Sequence, residues 1–493
     1  MKYANRTLLL FSLMAALVLY VDIMLTPSLP AIGKQYGIDP AQASLILSLY
    51  TVFGTALNPI VGKLGDIYGK KKLLTYVLIL YSAMVTTTSF APDFNTLLIS
   101  RTFQGVGLSI FPLAFSLVRE QFPREKVPRA QGLLSAMFGI GTAIGLPAGA
   151  LVANTYGWQA NYHIATPFII ALTIITIFAV RESVYTNTSI KLDYVGSILL
   201  GGALGSIVFG LSEGSNWGWT SSPILALIIG GALLFIPLIL FERRAKAPIL
   251  DFRLLGIRNV VISNGVGLTF GMAMFLSFQA ISYQLELKQP VGYGFDILTT
   301  GLYFLPLAIG MLLVTYPVGV LITKVGAKPF LILGNIIGAI GFFLISTATS
   351  PTEIALYLLV GSIGLGILVV SQQNLLVLTV KSQEMGLATS MNTVFRNVGS
   401  SLGAPIAGSL IATYTATYFI TTPAGRFSFI APSTLAFQYS YYIAVLGFVA
   451  SLILSLFALE IMGKRAKIKD TLSDSPSMMS ESADQAIPPA KTE

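Results

Sequence analysis

Three charged side chains stand inside apolar stretches of this sequence, where hydration cannot explain them. Asp22 interrupts an apolar run between Leu8 and Ile32, and Arg101 and Arg396 interrupt two later runs. A carboxyl group deprived of water is stabilised in its protonated form, so Asp22 could bind and release a proton. A purely structural pairing with Arg101 or Arg396 is the alternative. We predict that Asp22 is a proton-coupling residue.

The two arginines admit more than one role. Arg101 lies about seven residues into its apolar stretch, near Gly105 and Gly107, whose small size permits close helix approach. Its long side chain could instead extend to the membrane surface. Arg396 lies deeper in a later stretch, where it could position an acidic or polar substrate.

Uncharged polar side chains also occur within the apolar stretches. We predict that some line a substrate cavity and that others hydrogen-bond helix to helix. The candidates are Gln104, Gln279, Gln284, Gln372, Gln373, Asn374 and Asn392. His163, the single histidine, lies near Trp158 and Tyr162, which favours an interfacial aromatic cluster over a proton-linked role.

The elements that must position these residues are membrane-spanning helices. Of 493 residues, 54% are hydrophobic and 10% charged, against about 25% charged in a soluble domain. Apolar stretches of about 20 residues, enough to cross a hydrocarbon layer of roughly 30 Å, recur along the chain, and we count fourteen. Only helices satisfy their own backbone groups in lipid. The predicted fold class is therefore an all-α polytopic membrane protein with 14 transmembrane helices.

The net charge of +9 is distributed in a way that indicates a membrane partner and no nucleic acid. With the N-terminus placed inside, nearly all Lys and Arg residues fall in cytoplasmic segments, as the positive-inside rule requires. Both termini are then cytoplasmic, and the protein is multi-pass in the plasma membrane. Asp22 interrupts the first apolar run and no cleavage signal follows, which favours an uncleaved span over a signal peptide. The chain has no cysteine, which excludes disulfides and cysteine metal sites.

Internal repeats divide the chain into two halves. Gly141, Gly145 and Pro147 correspond to Gly399, Gly403 and Pro405, each pair 258 residues apart. The loop 62–72 likewise recurs in weaker form at 319–328. Repeats of this kind are typical of secondary transporters, whose substrate site lies where the repeats meet. We predict a six-helix bundle at 1–190, an inserted two-helix hairpin with a basic cytoplasmic loop at 191–258, a second six-helix bundle at 259–465 and a disordered cytoplasmic tail at 466–493.

Several separate motifs make the chain resemble one known family. The loop GKLGDIYGKKK (62–72) resembles the signature between spans 2 and 3 of the major facilitator superfamily, with Ile67 at the position usually basic. RTFQGVG (101–107) resembles its span 4 motif, and GTAIGLPAG (141–149) its span 5 antiporter motif, with Leu146 inserted before the proline. VDIM (21–24) and GWQ (157–159) resemble the span 1 pattern and the span 6 entry of the 14-span drug/proton antiporter branch.

The resemblance implies a major facilitator fold and a role for each motif. Arg101 would belong to the proton relay. Gly62, Gly65, Asp66, Gly69, Lys70 and Lys71 would form a gating loop, in which the Asp66 carboxylate rests on the positive end of a neighbouring helix and holds the outward-facing state. Gly141, Gly145 and Gly149 share one helix face that would seal the two halves, with Pro147 bending that helix.

These features together predict a proton-coupled exporter of lipophilic small molecules that works by alternating access. Its partners are a small-molecule substrate, protons and the lipid bilayer, with no cofactor, no metal and no catalytic residue, and we expect a functional monomer. A proton-coupled symporter of a small solute is the alternative. A membrane-embedded lipid-modifying enzyme is a remote one, because such an enzyme needs clustered acids or histidines.

Overall fold

The computed structural model describes residues 2–122, 127–183, 192–245, 248–381, 384–422 and 425–460. Its helices are α1 Lys2–Ile23, α2 Leu29–Tyr36, α3 Pro40–Tyr68, α4 Lys70–Ser89, α5 Phe94–Gln104, α6 Ile110–Gln121, α7 Val127–Tyr156, α8 Gln159–Ala179, α9 Tyr194–Trp217, α10 Ser222–Glu242, α11 Phe252–Leu255, α12 Arg258–Glu286, α13 Ile297–Tyr303, α14 Leu305–Val325, α15 Lys328–Thr347, α16 Pro351–Thr379, α17 Met385–Thr413 and α18 Thr434–Leu456. Short 3-10 turns at Thr26–Ser28 and Gly105–Ser109 join α1 to α2 and α5 to α6.

Eleven helical segments among the described residues are long and apolar enough to cross a membrane. Three further long helices, α4, α7 and α17, are not among them. Helix α4 begins with three lysines, and α7 and α17 are rich in Gly, Ala, Ser and Thr, which lower hydropathy where a helix packs against other helices rather than lipid. The all-α polytopic class is confirmed, with most of the described residues in helices, and the count of fourteen spans stays a prediction.

The long helices end at two opposite faces of the molecule, which we name by residues. The Pro40 face carries the end of α2 and the start of α3, where the Asp39 carboxylate accepts a hydrogen bond from Gln42 N at 2.7 Å and caps α3. The Lys70 face carries the end of α3 and the start of α4. In the predicted topology the Lys70 face is cytoplasmic.

Contacts between the N-terminal and C-terminal halves are concentrated at the Pro40 face. Gln279 Nε2 donates to Pro40 O at 2.7 Å, and Ser282 Oγ donates to Thr26 O at 3.0 Å. A methyl group built on Gly408 of α17 would lie 2.6 Å from Pro40 O, so these two helices approach without side chains between them. The halves are therefore sealed at the Pro40 face.

The hairpin α9–α10 packs on the outside of the α3–α17 contact. Helix α9 contacts both α3 and α17, while α10 contacts α9 and is largely exposed. Gln42 Nε2 donates to Glu213 Oε1 at 3.0 Å, which joins α3 to the hairpin. Trp219 Nε1 donates to Thr413 Oγ1 at 3.0 Å, which joins the hairpin to α17.

One element in the described part of the chain is a β-ribbon rather than a helix. Strands β1 Thr415–Thr422 and β2 Gly425–Pro432 form an antiparallel ribbon at the Pro40 face, between α17 and α18. Residues of high β propensity, Thr, Tyr, Phe and Ile, account for the strands. The sequence analysis did not predict this ribbon, because it read the segment as part of the helical bundle 259–465.

Candidate functional site

The candidate site begins where α1 ends, in the middle of the N-terminal bundle. Asp22 is the second-last residue of α1, and the chain then turns through Thr26–Ser28 into α2. The last four carbonyl groups of a helix have no partner within the helix and carry its partial negative charge. The end of α1 therefore presents backbone carbonyls as well as the Asp22 carboxyl.

Arg101 of α5 lies beside the end of α1 and donates hydrogen bonds through all five of its N–H groups. Nε donates to Ile46 O at 3.3 Å. Nη1 donates to Val21 O at 3.1 Å and to Gln104 Oε1 at 3.0 Å. Nη2 donates to Asp22 O at 2.5 Å and to Asp22 Oδ1 at 3.4 Å. Since a guanidinium group has five donors, none is left over. The alternative in which Arg101 reaches the membrane surface is wrong, because the residue is fully buried.

Polar and aromatic side chains around the guanidinium group hold the arginine in place. Gln104 Nε2 donates to Thr88 Oγ1 at 2.5 Å, and Thr88 Oγ1 donates to Ser100 Oγ at 2.8 Å. The guanidinium carbon lies 4.3 Å from the centre of the Tyr50 ring. Charge and ring attract at this distance, more strongly where water is excluded. Gln104 therefore positions Arg101.

The Asp22 carboxyl is held more loosely than the arginine. Its distance to Arg101 Nη2, 3.4 Å, is longer than the 2.7–2.9 Å of a well-formed charged hydrogen bond. Its side chain keeps 12% of its surface exposed, while that of Arg101 keeps none. The structure thus pairs Asp22 with Arg101 and leaves the carboxyl partly accessible.

The glycine face of α7 packs directly on this end of α1. A methyl group built on Gly141 would lie 2.7 Å from Leu19 Cβ, one on Gly145 2.8 Å from Ile23 Cγ1, and one on Gly149 2.7 Å from Met24 O. Any larger residue would push α1 away. These three glycines fix the height and rotation of the segment that carries Asp22.

The helix that the glycine face of α7 contacts differs from the predicted one. The glycine face was expected to seal the two halves, but α1 belongs to the same half as α7. The contact with the other half is made by Leu146 and Ala150, which face Gly301 of α13; a methyl group on Gly301 would lie 3.2 Å from Leu146 O. Leu146, the insertion in the motif, is therefore part of the seal. Pro147 lies inside α7, which continues through it.

The gating loop is arranged around Lys70 at the Lys70 face. Lys70 Nζ lies 2.9 Å from Asp66 Oδ1 and also contacts the Glu120 carboxylate of α6. A methyl group on Gly65 would lie 2.8 Å from Leu113 Cδ2, whereas Gly62 has open space. Gly69 has φ +104°, a backbone conformation that favours glycine.

A glutamate that the sequence analysis did not single out caps α4. Glu182, which follows α8, accepts hydrogen bonds from Lys71 N at 2.9 Å and Lys72 N at 3.0 Å, so its carboxylate occupies the positive end of α4. In this structure the Asp66 carboxylate is turned to Lys70. Its place on a helix end, which was expected for the outward-facing state, stays a prediction. The second half repeats the cap: Glu460 accepts from Lys328 N at 3.1 Å beside Gly326, whose φ is +96°.

The predicted cavity residues lie in three separate places. Gln104 belongs to the Arg101 site, and Gln279 to the seal at the Pro40 face. Gln372 and Asn392 are buried inside the C-terminal half, where Asn392 Nδ2 donates to Ser263 O at 3.0 Å.

The remaining candidates have different surroundings. Gln373 is exposed, Asn374 bonds its own helix at Val370 O, and Arg396 is half-buried. Gln284 accepts a hydrogen bond from Tyr441. His163 packs against Phe90, with ring centres 5.0 Å apart, in keeping with the aromatic interpretation.

Two further acidic residues were missed by the sequence analysis. Asp193 and Glu242 are buried at the ends of α9 and α10 that meet at the Lys70 face. Charges at the ends of apolar stretches are usual, so their positions alone gave no signal. Their separation of about 50 residues concealed the contact between them, since only the antiparallel hairpin brings them together.

A bundle of apolar helices in two related halves, with an ion pair in its interior, is typical of an integral membrane transport protein. The model of the Major Facilitator Superfamily matches residues 11–191, 194–404 and 265–472. The chain belongs to this family.

Curated relatives are also membrane transporters. An uncharacterized MFS-type transporter of Mycobacterium tuberculosis is 30% identical over 403 residues, which cover 79% of this chain and 57% of that protein. Multidrug resistance protein 3 of Bacillus subtilis is 26% identical, over 74% of this chain and 71% of that one. The tetracenomycin C resistance and export protein of Streptomyces glaucescens is 26% identical, over 78% and 71%. The matched region thus spans little more than half of the mycobacterial protein.

Solved structures share the fold. A bacterial homolog of the human lysosomal transporter Spinster, in an inward-facing and unoccupied conformation, has a TM-score of 0.63 at 13% identity and covers 92% of this chain and 95% of that one. The human organic anion transporter MFSD10 has a TM-score of 0.61 at 15% identity, over 92% and 99%. The family and the curated relatives are transporters and not enzymes, which confirms that the chain is a transporter rather than an enzyme.

Proposed function

We propose that this protein exports lipophilic small molecules in exchange for protons, and that Asp22 carries the proton. The observation that carries the proposal is the loosely held carboxyl of Asp22 beside a fully saturated Arg101. An acidic group inside a membrane bundle is costly, and function is the usual reason for it. The relatives named for multidrug resistance and for export support the direction and the class of cargo.

The proposed exchange follows from competition at one site. When Asp22 is ionised, its charge is shared with Arg101 across 3.4 Å and attracts a lipophilic cation or a polarised amphiphile. When Asp22 takes up a proton, that attraction is lost and the substrate leaves. Arg101 keeps its bonds to Val21 O and Ile46 O in both states, so the end of α1 stays anchored while the carboxyl changes charge.

Two conformations are needed to expose this site to each side in turn. The structure is sealed at the Pro40 face by α2, α3, α7, α12, α13 and α17. We place the Lys70 face in the cytoplasm because lysines and arginines concentrate there. Substrate then enters from the cytoplasmic side in this state, and breaking the Pro40 seal releases it outside.

The proton gradient supplies enough free energy. One proton entering yields about 2.3 kcal/mol per 100 mV of membrane potential. It yields about 1.4 kcal/mol more for each pH unit. One or two protons therefore sustain a substantial substrate gradient.

Purified protein in proteoliposomes tests the proposal. An internal pH dye reports proton movement when a lipophilic cation, a neutral amphiphile or an organic anion is added on the side of the Lys70 face. Antiport predicts that substrate accumulating on one side moves protons to the other. Proton and substrate movement in the same direction would support the symporter instead, and movement of neither with any class would contradict transport coupled to protons.

A further inference from the structure

A buried pair of carboxyl groups lies at the base of the α9–α10 hairpin, away from Asp22. Asp193 is 6% exposed and Glu242 is 2% exposed. Asp193 Oδ1 caps α9 by accepting from Gly196 N at 2.7 Å. Glu242 Oε2 accepts from Ile249 N at 2.8 Å and from Leu250 N at 3.2 Å. One oxygen of each group is thus accounted for.

The other two oxygens face each other over Gly196. A methyl group built on Gly196 would lie 2.6 Å from Asp193 Oδ2 and would also contact Glu242 Oε1. Both atoms are buried, and neither has a donor among the described residues. The two side chains are nevertheless within hydrogen-bonding range of each other. Because ionised carboxylates only accept, two such oxygens stay together only if a proton lies between them.

The described charges around the pair point to the same proton. Among the described residues, Lys63 of α3 interacts with both acids. One carboxylate balances Lys63, and the second leaves a net negative charge in a buried place unless it is protonated. Asp251 does not contribute, because a hydrogen bond from Arg253 holds the pKa of Asp251 below its usual range and Arg253 balances its charge.

We propose that Asp193 and Glu242 form a second proton-binding site, which holds one shared proton. The site joins α9, α10 and the segment that leads into the C-terminal half, and it rests on α3 next to the gating loop. Its proton keeps the base of the hairpin closed on α3, and its loss leaves two adjacent negative charges that separate. A metal ion is not the ligand that fits, because Lys63 repels cations and the nearest backbone groups are N–H donors.

Infrared difference spectroscopy between about pH 6 and alkaline pH, a range in which ordinary exposed carboxyl groups stay ionised, tests this inference on protein in lipid nanodiscs. It detects the C=O stretch of a protonated carboxyl group directly. Asp193→Asn and Glu242→Gln each replace the shared proton by an amide N–H that can donate the same hydrogen bond, and Asn also caps helices. We expect each variant to lose one protonated carboxyl signal, and exposed Asp93→Asn to lose none.

Thermal unfolding over the same pH range gives an independent readout. The folded pair keeps a proton that the separated acids of the unfolded chain release, so wild-type stability falls as pH rises, and the fall is smaller in Asp193→Asn. Lys63→Met removes the balancing charge and should add a protonated carboxyl signal. Unchanged infrared signals in both acid variants would overturn the proposal. Stabilisation by Ca²⁺ or Mn²⁺ that both variants lose would overturn it in favour of a cation site.

Discussion

Arg101 is the residue on which the interior of the N-terminal half depends. Its guanidinium bonds three backbone carbonyls, one amide and one carboxylate, from α1, α3 and α5. No other side chain can place five donors in one plane, so even lysine is not a conservative replacement.

Arg101→Lys should therefore destabilise the protein. Lysine has three donors and leaves at least two buried acceptors unpaired, at about 1–3 kcal/mol each. Thermal unfolding in detergent measures the loss, and Arg244→Lys, at an exposed position, is the matched control. Equal melting temperatures for the two variants would show that the hydrogen bonds of Arg101 are not formed in solution.

Residues of this kind are partly visible in a sequence. Asp22 and Arg101 were found because a charge within an apolar run is conspicuous, and the structure brings the two together. Glu182 and Glu460 were missed because charges at span ends are ordinary. The dispersal of Gln104, Gln279, Gln372 and Asn392 could not be predicted, because the rotation of each helix about its axis is set by packing and not by its own sequence.

At the scale of elements, the contact of α7 with α1 decides where Asp22 lies. Gly145→Val should shift α1. The first carbon added at position 145 already lies 2.8 Å from the Ile23 side chain, so a branched side chain there overlaps it. We expect weaker proton coupling together with lower stability, of the order of 1–3 kcal/mol for overpacking.

Gly230→Ala provides the comparison, since the side chain added there meets nothing within 4 Å. It should leave transport unchanged and keep or slightly raise the melting temperature, because alanine favours helix. Proton-coupled transport and thermal unfolding are measured on both variants. Wild-type behaviour of Gly145→Val would show that α1 and α7 do not touch as described.

The paired caps on α4 and α15 make a further prediction for these elements. Glu182→Ala removes the acceptor for Lys71 N and Lys72 N, and loss of a helix cap costs about 1 kcal/mol. Amide hydrogen exchange at the start of α4 should rise, and the start of α15, capped by Glu460, should be unaffected. Equal change at both helices would contradict a local cap.

Most of the helices could be predicted from the sequence, but which helices pack against each other could not. Apolar length predicted the helices, and the spacing of Gly141, Gly145 and Gly149 predicted one shared face. Which helix that face would meet depends on the whole bundle. The strands β1 and β2 were missed because a single two-stranded ribbon leaves too short a pattern to outweigh the surrounding apolar helices.

At the scale of the whole molecule, alternating access predicts opposite movements at the two faces. The chain has no cysteine, so pairs of cysteines can be introduced for spin labels without first removing native cysteines. Exposed Lys34 and Lys288 report on the Pro40 face, and exposed Lys72 and Lys324 on the Lys70 face.

Conditions that favour the state open at the Pro40 face should lengthen the Lys34–Lys288 distance and shorten the Lys72–Lys324 distance. Double electron–electron resonance measures both distances on nanodisc samples at acidic and alkaline pH, with and without substrate. The same change at both faces, or none in either, would contradict rocking of the two halves about a central site. Movement of the first pair alone would indicate a gate confined to the Pro40 face.

The central claim is that Asp22 carries the transported proton, and Asp22→Asn in proteoliposomes tests it most directly. Asparagine keeps the size of the side chain and removes its titration, so substrate exchange without a proton gradient should persist while substrate-driven proton movement disappears. Asp93→Asn, at an exposed helix cap, should retain both activities. Proton movement of wild-type size in Asp22→Asn, in protein of normal thermal stability, would show that the coupling site lies elsewhere.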